Sequence, residues 1–69
     1  MKPVKIATEY ITLGQMLKLS DCIDSGGQAK AFLAETAIRV NGEPDNRRGR
    51  KLYRGDRVLV EGHGEFEIV

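Results

Sequence analysis

The sequence predicts a small α+β domain in which two packed N-terminal helices are followed by a small antiparallel or mixed β-sheet. Three observations carry that reading. Two stretches, opened by Thr12 and Ser25, space their apolar residues at a helical period, each behind a hydroxyl residue with Gln three positions on. From Ile38 onward the period drops to two and is punctuated by Asn41-Gly42 and Gly62-His63-Gly64, both turn formers. Finally, 69 residues with 41% hydrophobic content supply one modest core, too little for a second domain or a deep catalytic cleft. Residues 1–69 are therefore read as a single domain.

Taken in order, Val4, Ile6 and Thr8 alternate with Lys5, Ala7 and Glu9, which suits a short strand near a sheet edge. Thr12 stands three residues before Gln15 and just ahead of Leu13, Met16 and Leu17, so a capping box opens an amphipathic helix that runs to about Leu19 or Ser20. A short turn around Asp21 to Asp24 follows. Ser25 and Gln28 repeat the device, and Ala29, Phe32, Leu33 and Thr36 predict a second helix from near Gly26 to near Glu35. Ile38 and Val40 flank Arg39 in a strand that ends at Asn41-Gly42. Glu43 to Lys51 holds Pro44, Gly49 and polar or charged residues only, so it has nothing to bury and is expected as an exposed loop. The chain re-enters the core at Leu52 or Tyr53 and turns at Arg54-Gly55-Asp56. It then pairs an inward Val58 and Val60 with an inward Phe66 and Ile68 across the last hairpin.

Charge is where the chain departs most from an ordinary small domain. Eleven Lys and Arg against ten Asp and Glu give +1, so the total names no partner. Between Asn46 and Arg57, however, Arg47, Arg48, Arg50, Lys51, Arg54 and Arg57 face only Asp56. That is six minus one, or +5, which leaves −4 for the remainder. Gathering like charges costs self-repulsion, and the usual offset is a partner dense in phosphate, whose condensed counterions are released on binding. The planar forks of Arg47, Arg48, Arg50 and Arg54 suit phosphate oxygens and stack on bases. The plainer alternative is a solvated loop balanced by Glu43, Asp45 and Asp56, but isolated surface pairs contribute too little to require such clustering. Glu61, Glu65 and Glu67 in the last hairpin would turn an acidic surface away from the same polyanion.

Catalytic and metal chemistry find little support. His63, the single histidine, sits between two glycines at an exposed turn, and Cys22, the single cysteine, lies between Asp21 and Asp24, a setting that does not activate a nucleophile; a buried, inert thiol is expected. One Cys and one His do not make a zinc site, and no cofactor or small-molecule substrate is implied. A lone thiol without staples fits a reducing, cytoplasmic setting, and no apolar run is long enough for a signal segment or a membrane span. Ser25-Gly26-Gly27 at the start of the second helix is a candidate anion contact, with Lys30 one turn on and Lys18 beside it, although a plain helix cap explains the same residues.

The run LGQMLKLSDCIDSGGQAKAFLAETAIRVNGE followed by RRGRKLYRGDRVLVEG, about Leu13 to Gly62, resembles the RNA-binding S4 domain, named after ribosomal protein S4. The specific parts are Ser25 with Ala29 and Lys30, the Ile38 to Gly42 strand and turn, and Gly55-Asp56-Arg57-Val58. The resemblance implies the αL arrangement, in which two helices and the strand and loop after them grip structured RNA. It implies contacts from Ser25, Gly26, Gln28, Lys30, Asn41, Arg47, Arg48, Arg50 and Lys51, and the basic segment adds Arg54. Where family members often carry a basic residue at the start of the first helix and an Arg after the serine, this chain has Leu13 or Gly14 and Gly26, which shifts the burden to the loop. A short stand-alone member of this kind implies a non-catalytic monomer that binds ribosomal RNA or a ribosome assembly intermediate. Two rivals remain. A ubiquitin-like sulfur carrier shares the VNGE-like turn but needs a C-terminal Gly-Gly, where this sequence has Phe66-Glu67-Ile68-Val69. A protein-docking module using exposed apolar residues of an edge strand is compatible with the composition.

Overall fold

A computed structural model describes all 69 residues, Met1–Val69. The elements are β1 (Lys2–Val4), β2 (Tyr10–Thr12), α1 (Leu13–Leu19), a 3-10 turn (Gly26–Gln28) that runs into α2 (Ala29–Glu35), β3 (Ile38–Val40), β4 (Glu43–Pro44), β5 (Lys51–Tyr53), β6 (Arg57–Val60) and β7 (Gly64–Ile68). Five strands form a mixed sheet in the order β1-β7-β6-β3-β4, with β1 parallel to β7 and the other pairs antiparallel. β2 and β5 form a separate antiparallel ribbon. The class is α+β, but two strands precede the helices, so the helix pair does not stand at the N-terminus.

Local chemistry explains most of these elements. In α1, Leu13, Met16 and Leu17 fall at i, i+3 and i+4, and all three are fully buried. The predicted capping box is formed, with the Gln15 N–H donating to Thr12 Oγ1 at 3.2 Å and the Thr12 N–H donating to Gln15 Oε1 at 2.9 Å. The helix ends where Asp21 takes a left-handed φ of 62°. Gln28 Oε1 accepts from the N–H groups of Asp24 and Ser25, which ties the entry turn to α2, and α2 buries Ala29 and Leu33 with Phe32 packed at their edge. Asn41 and Gly42 both adopt positive φ, 52° and 87°, as a two-residue hairpin between β3 and β4 requires. Sixteen buried hydrophobic residues from helices, sheet and ribbon make one cluster, among them Val58, Val60, Phe66 and Ile68. No polar or charged residue is buried as a whole, and no helix is long and apolar enough to cross a membrane.

Three expectations need correction. The first strand ends at Val4: Ile6 is buried and bonds to the Val69 carbonyl, but Thr8 turns back to bond the Tyr10 carbonyl because the chain must swing round to enter the ribbon. The segment Glu43 to Lys51 is not simply an exposed loop. Its ends pair as β4 and β5, and the Asp45 side chain within it is only 7% exposed. Cys22 is half-buried rather than buried, with the Ser20 hydroxyl donating to its sulfur.

Candidate nucleic-acid interface

The basic segment is held against the start of α1 by backbone chemistry. The first N–H groups of a helix lack intrahelical partners, and here the Leu13 N–H donates to the Arg50 carbonyl at 2.8 Å and the Gly14 N–H to the Arg48 carbonyl at 3.0 Å. Gly14 makes the approach possible. A Cβ at that position would lie 2.7 Å from Arg48 Cγ, closer than two such carbons can come. Arg48 therefore lies across the first turn of α1, in the region where the family resemblance would put a basic residue of the helix itself. Lys18 and Gly26 line the groove on one side of Arg48, and Lys30 and Asn46 line a second groove on its other side. Lys18, Lys30 and Arg48 are all exposed, and none pairs with a carboxylate.

Arg47 and Arg50 are in a different electrostatic state. Asp45 takes the Arg47 guanidinium through both oxygens, Nε to Oδ1 at 3.1 Å and Nη2 to Oδ2 at 2.8 Å, and also takes Arg50 Nη1 at 2.8 Å. The Arg47 N–H donates to the same carboxylate at 2.9 Å. Hydrogen bonding from the Arg47 side chain holds the Asp45 carboxyl well below the usual carboxylate range, against the opposing effect of its burial, and the carboxylate in turn raises Arg47. These are the only ion pairs in the chain. The clamp cancels one of two charges and gives the segment a fixed shape.

The remaining predicted residues divide between the groove and places elsewhere. Ser25 precedes Gly26 at the groove edge, while the Gln28 side-chain oxygen, Oε1, is used in capping the turn. Lys51 stands over the Tyr10 ring, 4.9 Å from its centroid, on the β2–β5 ribbon. Asn41 is engaged at both ends of its amide, donating to Asp56 Oδ1 at 3.1 Å and accepting from the Arg57 N–H at 3.0 Å, so it staples two turns together. Arg54 donates to the Ile6 carbonyl at 2.8 Å and fastens the chain after β1. Arg57 projects from the solvent face of the sheet opposite Glu67, with Arg39, Leu59 and Glu65 aligned in the adjacent row, so that face is mixed in charge rather than acidic. Sequence reading gave no role to Gly14 and set aside the alternative in which Glu43, Asp45 and Asp56 balance the basic loop; Asp45 does balance Arg47 and Arg50, while Glu43 and Asp56 pair with none of the cations. The Asp-x-Arg spacing of Asp45 and Arg47 is the one local signal of that clamp.

Comparison with known proteins adds to this geometry. Residues 4–69 match the family model described as S4 domain. The chain is similar to the Bacillus subtilis (strain 168) protein named "Probable ribosome maturation protein RlbA", with 64% identity over 67 residues that cover 97% of this chain and 94% of that protein. It is also similar to the Escherichia coli (strain K12) protein named "Putative RNA-binding protein YbcJ", with 35% identity over 54 residues, 78% of this chain and 77% of the other. No solved structure matches.

Proposed function

The chain belongs to the S4 domain family, and from that premise we propose that it is a non-catalytic RNA-binding module acting on ribosomal RNA or a ribosome assembly intermediate. The observation that carries the reading is Arg48, held across α1 between Lys18 and Lys30 with no acid to neutralise it. Three cations on one rigid surface, with the Lys51 ammonium nearby on the ribbon, suit the phosphates of a folded RNA. The names of the relatives, one for ribosome maturation and one for RNA binding, point the same way.

On this reading the whole chain works as one domain of the αL type and binds as a monomer in the cytoplasm. Lys18, Lys30, Arg48 and Lys51 contact phosphates. Ser25 and Gly26 leave the backbone open at the groove edge, and Arg47 and Arg50, fixed on Asp45, shape the segment and add partial charge. Asn41 acts through the fold, because both ends of its amide are bound within the chain; Gln28 through Oε1 and Arg54 through Nη2 also tie the fold, which leaves the Gln28 amide N–H groups and the other Arg54 donors for the RNA. A catalytic role has no support in the two reactive side chains: His63 packs on the Phe32 ring, and Cys22 accepts a hydrogen bond from Ser20.

The test is an anisotropy titration of labelled structured RNA across a salt series. With about four phosphates neutralised, log K against log salt falls with a slope of roughly −3. Replacing Lys30 and Arg48 together by Glu abolishes binding without altering the circular dichroism, whereas Arg57→Gln on the opposite face changes affinity less than about twofold, as expected for one distant, screened charge. Absence of binding at low salt, or binding indifferent to the double replacement, defeats the proposal.

A further inference from the structure

The two tyrosines stand apart from every other aromatic residue in the chain. Phe66 is 4% exposed and Phe32 packs on the core, whereas Tyr10 and Tyr53 are 38% and 44% exposed. Strand alternation is the cause. Tyr10 pairs directly with Tyr53 and Ile11 with Leu52, so burying the aliphatic pair forces both rings onto the outer face of the ribbon beside Lys51. The rings lie 5.8 Å apart at 48°, and the Lys51 ammonium is 4.9 Å from the Tyr10 centroid. The depression beneath Tyr10 is apolar at Ile11 and Leu19, has Glu9 as its one acid, and runs to Gln15 and Lys18. Gln15 and Lys18 also line the groove that holds Arg48, so the depression at Tyr10 adjoins that groove, with Tyr53 and Lys51 beside Tyr10 on the ribbon.

We propose that Tyr10, Tyr53 and Lys51 form a second subsite, which takes an unpaired nucleobase of the RNA bound at Arg48. This rests on the RNA-binding reading and deepens it. An exposed ring with a cation next to it suits a nucleotide, with the base stacking on Tyr53 and the ammonium that stands over Tyr10 meeting its phosphate, and such stacking is tolerant of base identity. The adjoining groove at Lys18 favours the same RNA strand over a separate ligand. The chain would thus select RNA whose helix is interrupted by a loop or bulge over a uniform duplex.

The experiment uses the full chain and its own emission, because it has two tyrosines and no tryptophan. The probes are an RNA hairpin with an unpaired loop, the same hairpin with abasic loop positions, and a blunt duplex of equal length. The base-bearing loop is expected to quench tyrosine emission and to bind roughly tenfold more tightly than the other two. Tyr10→Leu with Tyr53→Leu removes that preference and leaves duplex binding unchanged, while Tyr53→Phe, which keeps a stacking ring and serves if the double variant does not fold, retains it. If hairpin binding depends on Lys30 and Arg48 yet ignores the tyrosine replacements and the abasic change, this inference is overturned and the RNA-binding reading stands. If no RNA binds at low salt, both fall. Emission that responds to RNA-free ribosomal proteins but not to the hairpin assigns the surface to a protein and also overturns the proposal.

Discussion

A carboxylate set among arginines decides how many of them meet solvent as free charges. Asp45 binds Arg47 and Arg50 together, so the three residues carry +1 between them, and Arg48, which lies between the two in sequence, keeps its full charge. The Asp45 carboxyl is depressed by the Arg47 hydrogen bonds. Its stabilising effect is therefore fully present above the unfolded value, about 3.9, and is lost as pH falls through the folded one. Asp45→Asn is expected to lower Tm at neutral pH by about 4 °C, with the gap from the parent closing in strong acid; a thermal melt series read by circular dichroism checks both limbs. A gap that persisted unchanged into strong acid would argue that the asparagine harms packing and not charge. Nothing in the spacing of the six cations showed which of them would be neutralised. What separates them is which lie within reach of a carboxylate, a backbone carbonyl or a ring, and in Arg54 that partner, Ile6, is 48 positions away.

At the scale of elements, α1 and the basic segment form one unit, because the helix leaves its first N–H groups for the segment's carbonyls and omits the side chain that would keep the segment away. Gly14→Ala sets two effects against each other. Alanine favours the helix by about 1 kcal/mol, but its Cβ displaces Arg48. The expected result is a fold of similar stability that binds RNA severalfold more weakly, measured by a melt and an anisotropy titration on the same sample; unchanged affinity would show that the position of Arg48 does not matter. Both helices, β3, β6 and β7 were legible because their apolar period extends over at least two inward residues or a recognisable cap. β2 and β4 were not. The first offers a single buried residue, Ile11, and the second none, so no period exists to be read, and both are made by partners remote in sequence or across a turn. The tyrosine surface was hidden for the same reason, since it depends on the Tyr10–Tyr53 register.

The whole molecule separates its surfaces more than its net charge of +1 suggests. Its extents are 26 × 23 × 18 Å, while charges are screened over about 10 Å at moderate salt. A polyanion against the helix pair therefore meets Lys18, Lys30 and Arg48 and is largely shielded from Glu65 and Glu67 on the solvent face of the sheet. Those glutamates are themselves offset by Arg39 and Arg57, which share that face. Orientation, and not total charge, is what the fold supplies to binding. The direct test is a two-dimensional amide NMR titration of the full chain with structured RNA. Shifts concentrated at Lys18, Gly26, Lys30, Arg48, Gly49 and Lys51, with Arg39, Arg57 and Glu65 unmoved, are the predicted result, and shifts centred on the sheet face or spread evenly over the chain would contradict it.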